Sequence, residues 1–267
     1  MSGDDSLWLT THCRIDFQVG LPTPFIFMLR PGSDDRQWVA EDALSVEPAV
    51  PVTEYRDTFG NRCQRLVADP GPFSIDARAR VRTAASAATA PGAPFVPVPD
   101  LPASLLGYLI ASRYCEADRL GDRARHLVAN EWPGYDQVRR INDWIRAEIA
   151  YRPGTSNVPV SALETLARGQ GVCRDLAHLG VALCRALTIP ARLVVGYLHG
   201  LEPMDMHAWF EAWVGGRWYA FDPTQAEPRG GRVAIAYGHD AGDVALFTQF
   251  GPSLAPTAMT VSVERCD

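Results

Sequence analysis

No run of this chain approaches the roughly 18 consecutive apolar residues that a membrane-spanning helix needs. Its opening, Met-Ser-Gly-Asp-Asp-Ser, has neither the positive charge nor the apolar stretch of a secretory leader, so a cytoplasmic location is expected. Basic charge is in deficit: 25 Lys and Arg face 31 Asp and Glu, a formal net charge of −6. The chain therefore lacks the basic field that draws a protein to nucleic acid or anionic lipid, and neither is expected as a partner. Cysteine is sparse, with six residues at positions 13, 63, 115, 173, 184 and 266, and no Cys-x-x-Cys pair of the zinc-ribbon kind occurs. In a reducing compartment these should be free thiols, and five of them read as small core residues. No internal repeat is visible.

What is present is a globular composition, 47% hydrophobic and 21% charged over 267 residues, enough for one large domain or two modest ones. Residues 1–83 read as a β-rich domain. Between Phe73 and Arg82, apolar Phe73, Ile75, Ala77, Ala79 and Val81 alternate with Ser74, Asp76, Arg78, Arg80 and Arg82, the period of a half-buried strand. Further strands are expected at Leu7–Phe17, Phe25–Leu29, Gln37–Val46 and Cys63–Ala68, divided by Pro-Gly, Phe-Gly-Asn and Asp-Pro-Gly turns. Short strands with frequent turns point to an antiparallel sandwich or a small barrel. Arg78, Arg80 and Arg82 read as a solvated strand face, given the acidic total.

Residues 84–100 shift to Ala, Ser, Thr and Pro, the composition of a linker or an extended strap. Beyond it, residues 101–267 carry helical patterns first and strand patterns afterwards. Helices are expected over Ser104–Ile110, Asp122–Asn130 and Asp136–Ala150, the last with Asp136 as N-cap and Val138, Ile141, Ile145 and Ile149 along one face. Ser161-Ala-Leu-Glu164 is a capping box opening a short helix that Gly169 closes. After Pro190, strands are expected at Ala191–Leu198, His207–Val214, Arg217–Asp222, Arg232–Tyr237 and Thr257–Glu264. Helices followed by antiparallel strands imply an α+β domain.

Cys173 opens the most informative helix. Gly169 and Gly171 break the chain before it, and small or apolar residues then recur at Leu176, Ala177, Gly180, Val181, Cys184 and Leu187, the spacing of one helix face. Ala177 and Gly180 would let that face lie close to a sheet. A cysteine at a helix start sits where unpaired N–H groups and the macrodipole favour an anion, and the thiolate is the nucleophilic form. Cys173 is therefore a candidate nucleophile. Asp175 and His178, three apart on the helix, read as a local polar pair. Cys173, His178 and His199 match no common zinc spacing.

A partner for the thiol follows from a turn. Val214-Gly-Gly-Arg217 suits a two-residue hairpin whose turn needs positive φ. With Gly215-Gly216 as the loop, Trp213 faces Trp218, Trp209 faces Asp222, and His207 and Asp222 become diagonal neighbours on one face. A one-residue slip would part them. Trp209, Trp213 and Trp218 share that face and would wall the cleft, and Tyr151 could approach it. Cysteine, histidine and aspartate together can carry acyl transfer: the imidazole takes the thiol proton, and the carboxylate orients the imidazole. The Cys173 backbone N–H is a candidate oxyanion donor.

Gly-Val-Cys-Arg-Asp-Leu-Ala-His-Leu (171–179), Ile-Pro-Ala-Arg (189–192) with Gly196-Tyr197, His-Ala-Trp-Phe-Glu-Ala-Trp (207–213) and Trp-Tyr-Ala-Phe-Asp-Pro-Thr (218–224) resemble bacterial transglutaminase-like proteins in order and spacing. The resemblance covers roughly residues 120–245. It implies a papain-like α+β core with Cys173 as nucleophile, His207 as base and Asp222 as orienting acid. The N-terminal half looks like the β-rich domain that precedes this core in many bacterial members. Asp240-Ala-Gly-Asp-Val-Ala departs from the family's usual tail, in which a proline follows the aspartate-valine pair. The implied reaction is attack on a peptide or carboxamide bond, giving a thioester. Hydrolysis is expected, since water is always available and no amine pocket is readable. Transamidation by an amine, or a non-catalytic scaffold that keeps the fold, are the alternatives. The expected partner is a peptide or protein substrate, with no cofactor and no metal.

Overall fold

In the computed structural model, residues 5–154 and 159–266 are described. Strands β1 (Ser6–Val19), β2 (Thr23–Phe27), β3 (Gln37–Glu47), β4 (Thr53–Arg56), β5 (Arg62–Ala68) and β6 (Gly71–Ala84) come first. Helices α1 (Gly121–Leu127), α2 (Tyr135–Glu148), α3 (Ala162–Arg168) and α4 (Cys173–Ala186) follow, with the two-residue strands β7 (Ala150–Tyr151) and β8 (Gln170–Gly171) between them. The chain ends in β9 (Ala191–Leu198), β10 (His207–Val214), β11 (Arg217–Phe221), β12 (Arg232–Gly238), β13 (Phe247–Gln249) and β14 (Ala258–Cys266).

Alternating burial builds the N-terminal sandwich. Phe73, Ile75, Ala77, Ala79 and Val81 point inward from β6, and Leu9, Thr11, Cys13, Ile15 and Phe17 do the same from β1. Phe17, Phe25, Phe27, Phe73 and Phe247 meet between the sheets, their ring centroids 5.1–6.4 Å apart. On the outer face Arg80 and Arg82 lie over Trp8 and Trp38, and Arg78 pairs with Asp76, so the arginine stripe is locally satisfied.

The last two strands correct the expected 101–267 unit. β13 pairs with β2 and β14 with β1, giving sheet orders β13-β2-β5-β4 and β14-β1-β6-β3. The alternation in β14 says that it is a strand but not which sheet edge it will join. The C-terminal sheet has the order β11-β10-β9-β12.

Helix α4 packs on this sheet through its small residues. A Cβ on Gly180 would stand 2.5 Å from the Phe210 ring, so only glycine permits that approach. Arg185, buried near the end of α4, donates to the carbonyls of Ala191, Ile110 and His239, which ties the helix to three other segments. Gly169 closes α3 in the left-handed region at φ 62°, and Ser161 and Glu164 form the expected capping box. Two helix expectations change. Gly134, not Asp136, caps α2, and Asp136 accepts a hydrogen bond from the Gly92 N–H instead. Residues 103–109, which contain Gly107 and follow Pro102, wind as a 3₁₀ helix rather than an α-helix.

The sandwich is joined to the C-terminal sheet by more than the strap. Side-chain amides of Gln37 and Asn61 each pair with both backbone groups of one residue on β12, Ala234 and Tyr237 respectively, at 2.8 Å. They cover an edge strand that would otherwise expose its hydrogen-bonding groups. Buried Glu211 binds Arg192 of its own sheet and Arg36 of the sandwich. The strap itself is seated, with Ala93 and Pro94 accepting from Tyr135 N and Gly215 N. One hydrophobic cluster runs through both parts. No helix among the described residues is long and apolar enough to cross a membrane.

Replacing Gly180 by valine should destabilise the fold by about 1–3 kcal/mol through overpacking. A urea titration would read this as a lower midpoint at unchanged slope. An unchanged midpoint would mean that Phe210 swings clear at no cost.

Candidate active site

The Gly215-Gly216 loop takes φ values of 57° and 87°, both in the left-handed region that a type I′ turn requires. The register follows as expected: Val214 faces Arg217, Trp213 faces Trp218 and Phe210 faces Phe221. One step further on, Asp222 reaches the diagonal neighbour of its facing residue, and His207 Nε2 lies 2.7 Å from Asp222 Oδ2. Both side chains are buried. Two residues on, past Pro223, Thr224 donates to Oδ1 from both its N–H and its hydroxyl, at 3.1 and 2.7 Å. This turn holds the carboxylate plane.

Because Asp222 occupies Nε2, the other ring nitrogen is the one left for chemistry. His207 Nδ1 is buried and has no hydrogen bond of ordinary geometry among the described residues. Cys173 lies beside the same ring at the first position of α4. Burial opposes charging of the ring. The hydrogen bond to Asp222 and the nearness of the Cys173 thiol, together with the charges of both, outweigh it and lift the His207 pKa to about 9. Burial likewise works against the Asp222 carboxylate, but His207, Arg232 and Thr224 hold it far below the usual carboxylate range.

The start of α4 is ordered around the thiol. Val172 N donates to Asp175 Oδ2 at 3.2 Å, while Arg174 pairs with the other oxygen. As the first helical residue, Cys173 presents a backbone N–H without an intrahelical acceptor. Tyr151 reaches this place through the short parallel pairing of β7 with β8. Its hydroxyl is pushed up to about 12 by burial and then by the charges of Cys173, Asp222 and Asp205. Tyr151 therefore does approach the cleft.

Other expectations change. Asp175 and His178 do not pair. His178 is buried, its Nδ1 2.9 Å from the Val160 carbonyl, while Nε2 accepts from Ala241 N and Tyr114 stacks on the ring. These partners require the neutral ring with its proton on Nδ1, and burial pushes its pKa down. The departing Asp240–Val244 segment packs here, against α4, with Asp240 accepting from Tyr114 N. Only Trp209 of the three tryptophans stays with the histidine, at 6.3 Å between ring centroids. Trp213 and Trp218 meet each other edge to face six residues or so along the hairpin, roughly 20 Å away. No group of three or more metal-ligating side chains occurs among the described residues.

One neighbour of the site carried no signal in the sequence. Arg232 of β12 places its guanidinium 3.0 Å from Asp222 Oδ2, the oxygen that also meets His207. Its role depends on a pairing between strands far apart in sequence, interrupted by a shift in register between Ala234 and Ala236.

The raised His207 pKa has a pH signature. The ring's ordinary value is 6.5, so its pairing stabilises the fold fully below about pH 6.5 and is lost as pH rises through about 9. The stability difference between wild type and Asp222→Asn should be largest near pH 6 and shrink toward pH 9. Urea titrations across that range would check it, and a constant difference would contradict the assignment.

Comparison with known proteins places these features in a family. Residues 121–223 match the Transglutaminase-like superfamily, and residues 22–82 match the Bacterial transglutaminase-like N-terminal region. A solved structure from Cytophaga hutchinsonii, of a proposed cysteine protease, is 37% identical, covers 99% of this chain and 92% of its own, and superposes with a TM-score of 0.91. An uncharacterised protein of Mycobacterium leprae is 36% identical over 130 residues, 45% of this chain and 46% of its own length. One from Mycobacterium bovis is 30% identical over 127 residues, 42% of this chain and 40% of its own length. The match thus spans less than half the length of these curated relatives.

Proposed function

We propose that this chain, which belongs to the transglutaminase-like superfamily, is a cysteine enzyme that cleaves peptide or carboxamide bonds through a thioester, with water as the ordinary acceptor. The observation that carries the reading is the His207 ring, tied to Asp222 at 2.7 Å through Nε2, with Nδ1 unengaged and Cys173 beside it.

The thiol proton of Cys173 passes to Nδ1 of His207, leaving a thiolate beside an imidazolium. The Sγ attacks the carbonyl carbon, and the carbonyl π pair moves to oxygen. The Cys173 N–H and the start of α4 stabilise that oxyanion. As the C–N bond breaks, the Nδ1 proton goes to the departing amine and a thioester remains. Water then attacks the thioester, gives a proton to Nδ1, and the thiolate leaves. Asp222 holds the Nε2–H throughout and stabilises the imidazolium. No cofactor or metal enters these steps. A reducing, cytoplasmic setting belongs to the same proposal, because the nucleophile must remain a free thiol.

An amine in place of water would give transamidation by the same steps. All 25 basic residues of the sequence outside histidine are arginine, so no lysine of this chain can serve as acceptor. The amine would have to come from another molecule. The partner in either case is a peptide or protein substrate.

Alkylation of the native chain with iodoacetamide at pH 6, mapped by mass spectrometry, tests the nucleophile. Cys13, Cys63, Cys115 and Cys184 are buried, and burial raises their pKa values, that of Cys13 to about 12. Cys266, which is partly exposed, is the internal comparison. Cys173 should react about tenfold or more faster than Cys266, and His207→Ala should abolish the advantage. Equal rates at Cys173 and Cys266 would sink the enzyme reading in favour of a scaffold. Peptides incubated with and without a fluorescent primary amine would then separate hydrolysis from transamidation.

A further inference from the structure

Two cations meet the same oxygen of Asp222. His207 Nε2 stands at 2.7 Å and an Arg232 guanidinium nitrogen at 3.0 Å, with the arginine side chain only 12% exposed. Arg232 is held on several sides. Its Nε donates to the Arg229 carbonyl at 3.2 Å, and its guanidinium lies 5.0 Å over the Trp209 ring, which also neighbours His207. Its backbone carbonyl accepts from the Thr83 hydroxyl at 2.7 Å, at the end of β6 in the sandwich. The strap grips the preceding residues: Gly231 N donates to the Ala84 carbonyl, and Gly230 lies so close to Ala85 that a Cβ would stand 2.2 Å from its oxygen.

From this geometry we infer that Arg232 is the positioning residue of the site: it holds the Asp222 carboxylate for His207 and takes up part of its charge, while the N-terminal sandwich holds Arg232. The inference rests on the acyl-transfer reading above. The sandwich is then part of the catalytic apparatus, because the chain that grips Arg232 begins in β6.

The charges around the pair define what Arg232 can change. Asp222 meets His207 from β10, Arg232 from β12 and the uncharged Thr224 from its own turn. His207 meets Asp222 and, from the start of α4, Cys173. Tyr151 from β7 lies within reach of the charges of Cys173, Asp222 and Asp205, the last just before β10. Asp175 and Arg174 on α4 pair with each other. Arg232 is thus the cation that competes with protonated His207 for one oxygen. Removing it should favour protonation of His207, since a nearby positive charge disfavours the protonated form.

The experiment is the pH dependence of Cys173 alkylation in the full chain between pH 4 and 10. The lower limb reports the thiol ionising beside the imidazolium, and the upper limb the imidazolium losing its proton. Arg232→Gln should move the upper limb, that of His207, up by roughly 0.5–1 unit, and Arg232→Lys should bring it back toward wild type. A purely structural role would change amplitude or the urea midpoint without moving that limb. A folded Arg232→Gln protein with a wild-type upper limb overturns the inference. Should Arg232→Gln fail to fold, Thr83→Val carries the test. It leaves the guanidinium in place but loosens its anchor, and it should shift the upper limb in the same direction by less. An upper limb unmoved in Thr83→Val would then overturn the inference. His207→Ala separates the two readings. An upper limb lost in His207→Ala but unmoved in Arg232→Gln defeats the Arg232 inference alone. A wild-type profile identical to that of His207→Ala defeats the acyl-transfer reading and this one with it.

Discussion

The register of one hairpin decides whether this protein has a site at all. Side chains on a strand alternate between faces, so a slip of one residue between β10 and β11 would send His207 and Asp222 to opposite sides of the sheet. Gly215 and Gly216 prevent it, because both hold the positive φ of a two-residue turn that other residues adopt at a cost. The catalytic geometry proposed here hangs on two glycines at the far end of the hairpin from the histidine.

Strand β10 is buried on both faces at every residue but Trp213. Ala208, Phe210, Ala212 and Val214 turn toward α4, where Gly180 takes the Phe210 ring, and this packing sets the height of Cys173 above the sheet. His207, Trp209 and Glu211 turn the other way, and the sandwich meets this face through the Arg36–Glu211 pair. Because His207 is the first residue of the strand, its ring can reach the end of α4 that the helix start presents. A histidine further along β10 would be screened from the thiol by the sheet.

The N-terminal sandwich is more than an appended module. Gln37 and Asn61 complete the hydrogen bonding of β12 with side-chain amides, doing locally what a further strand would do. That edge carries Arg232, and Arg232 touches Asp222. Through these contacts the position of a carboxylate in the C-terminal sheet depends on residues more than 130 positions earlier, the Thr83–Arg232 bond spanning 149. Strand β14 closes the arrangement by returning the end of the chain to β1.

Features set by local rules were legible from the residues alone. The alternation in β6, the capping box at Ser161, the small face of α4 and the Gly-Gly turn each involve neighbours within a few positions, and each formed as expected. The meeting of His207 and Asp222 belonged to this class because a tight turn converts it into a counting problem. Where two partners competed for one group, local reasoning failed. Asp136 could have capped α2, but Gly92 N took its carboxylate, and His178 turned to Val160 and Ala241 instead of Asp175. The sequence by itself thus determined the elements, the hairpin register and the candidate nucleophile, because backbone sterics and side-chain period act over short distances. Only the tertiary structure decided which sheet β14 joins, which tryptophan lies beside the histidine and that Arg232 shares the carboxylate. Those outcomes depend on which distant edges and buried charges find each other, and a strand's own pattern carries no record of its neighbours.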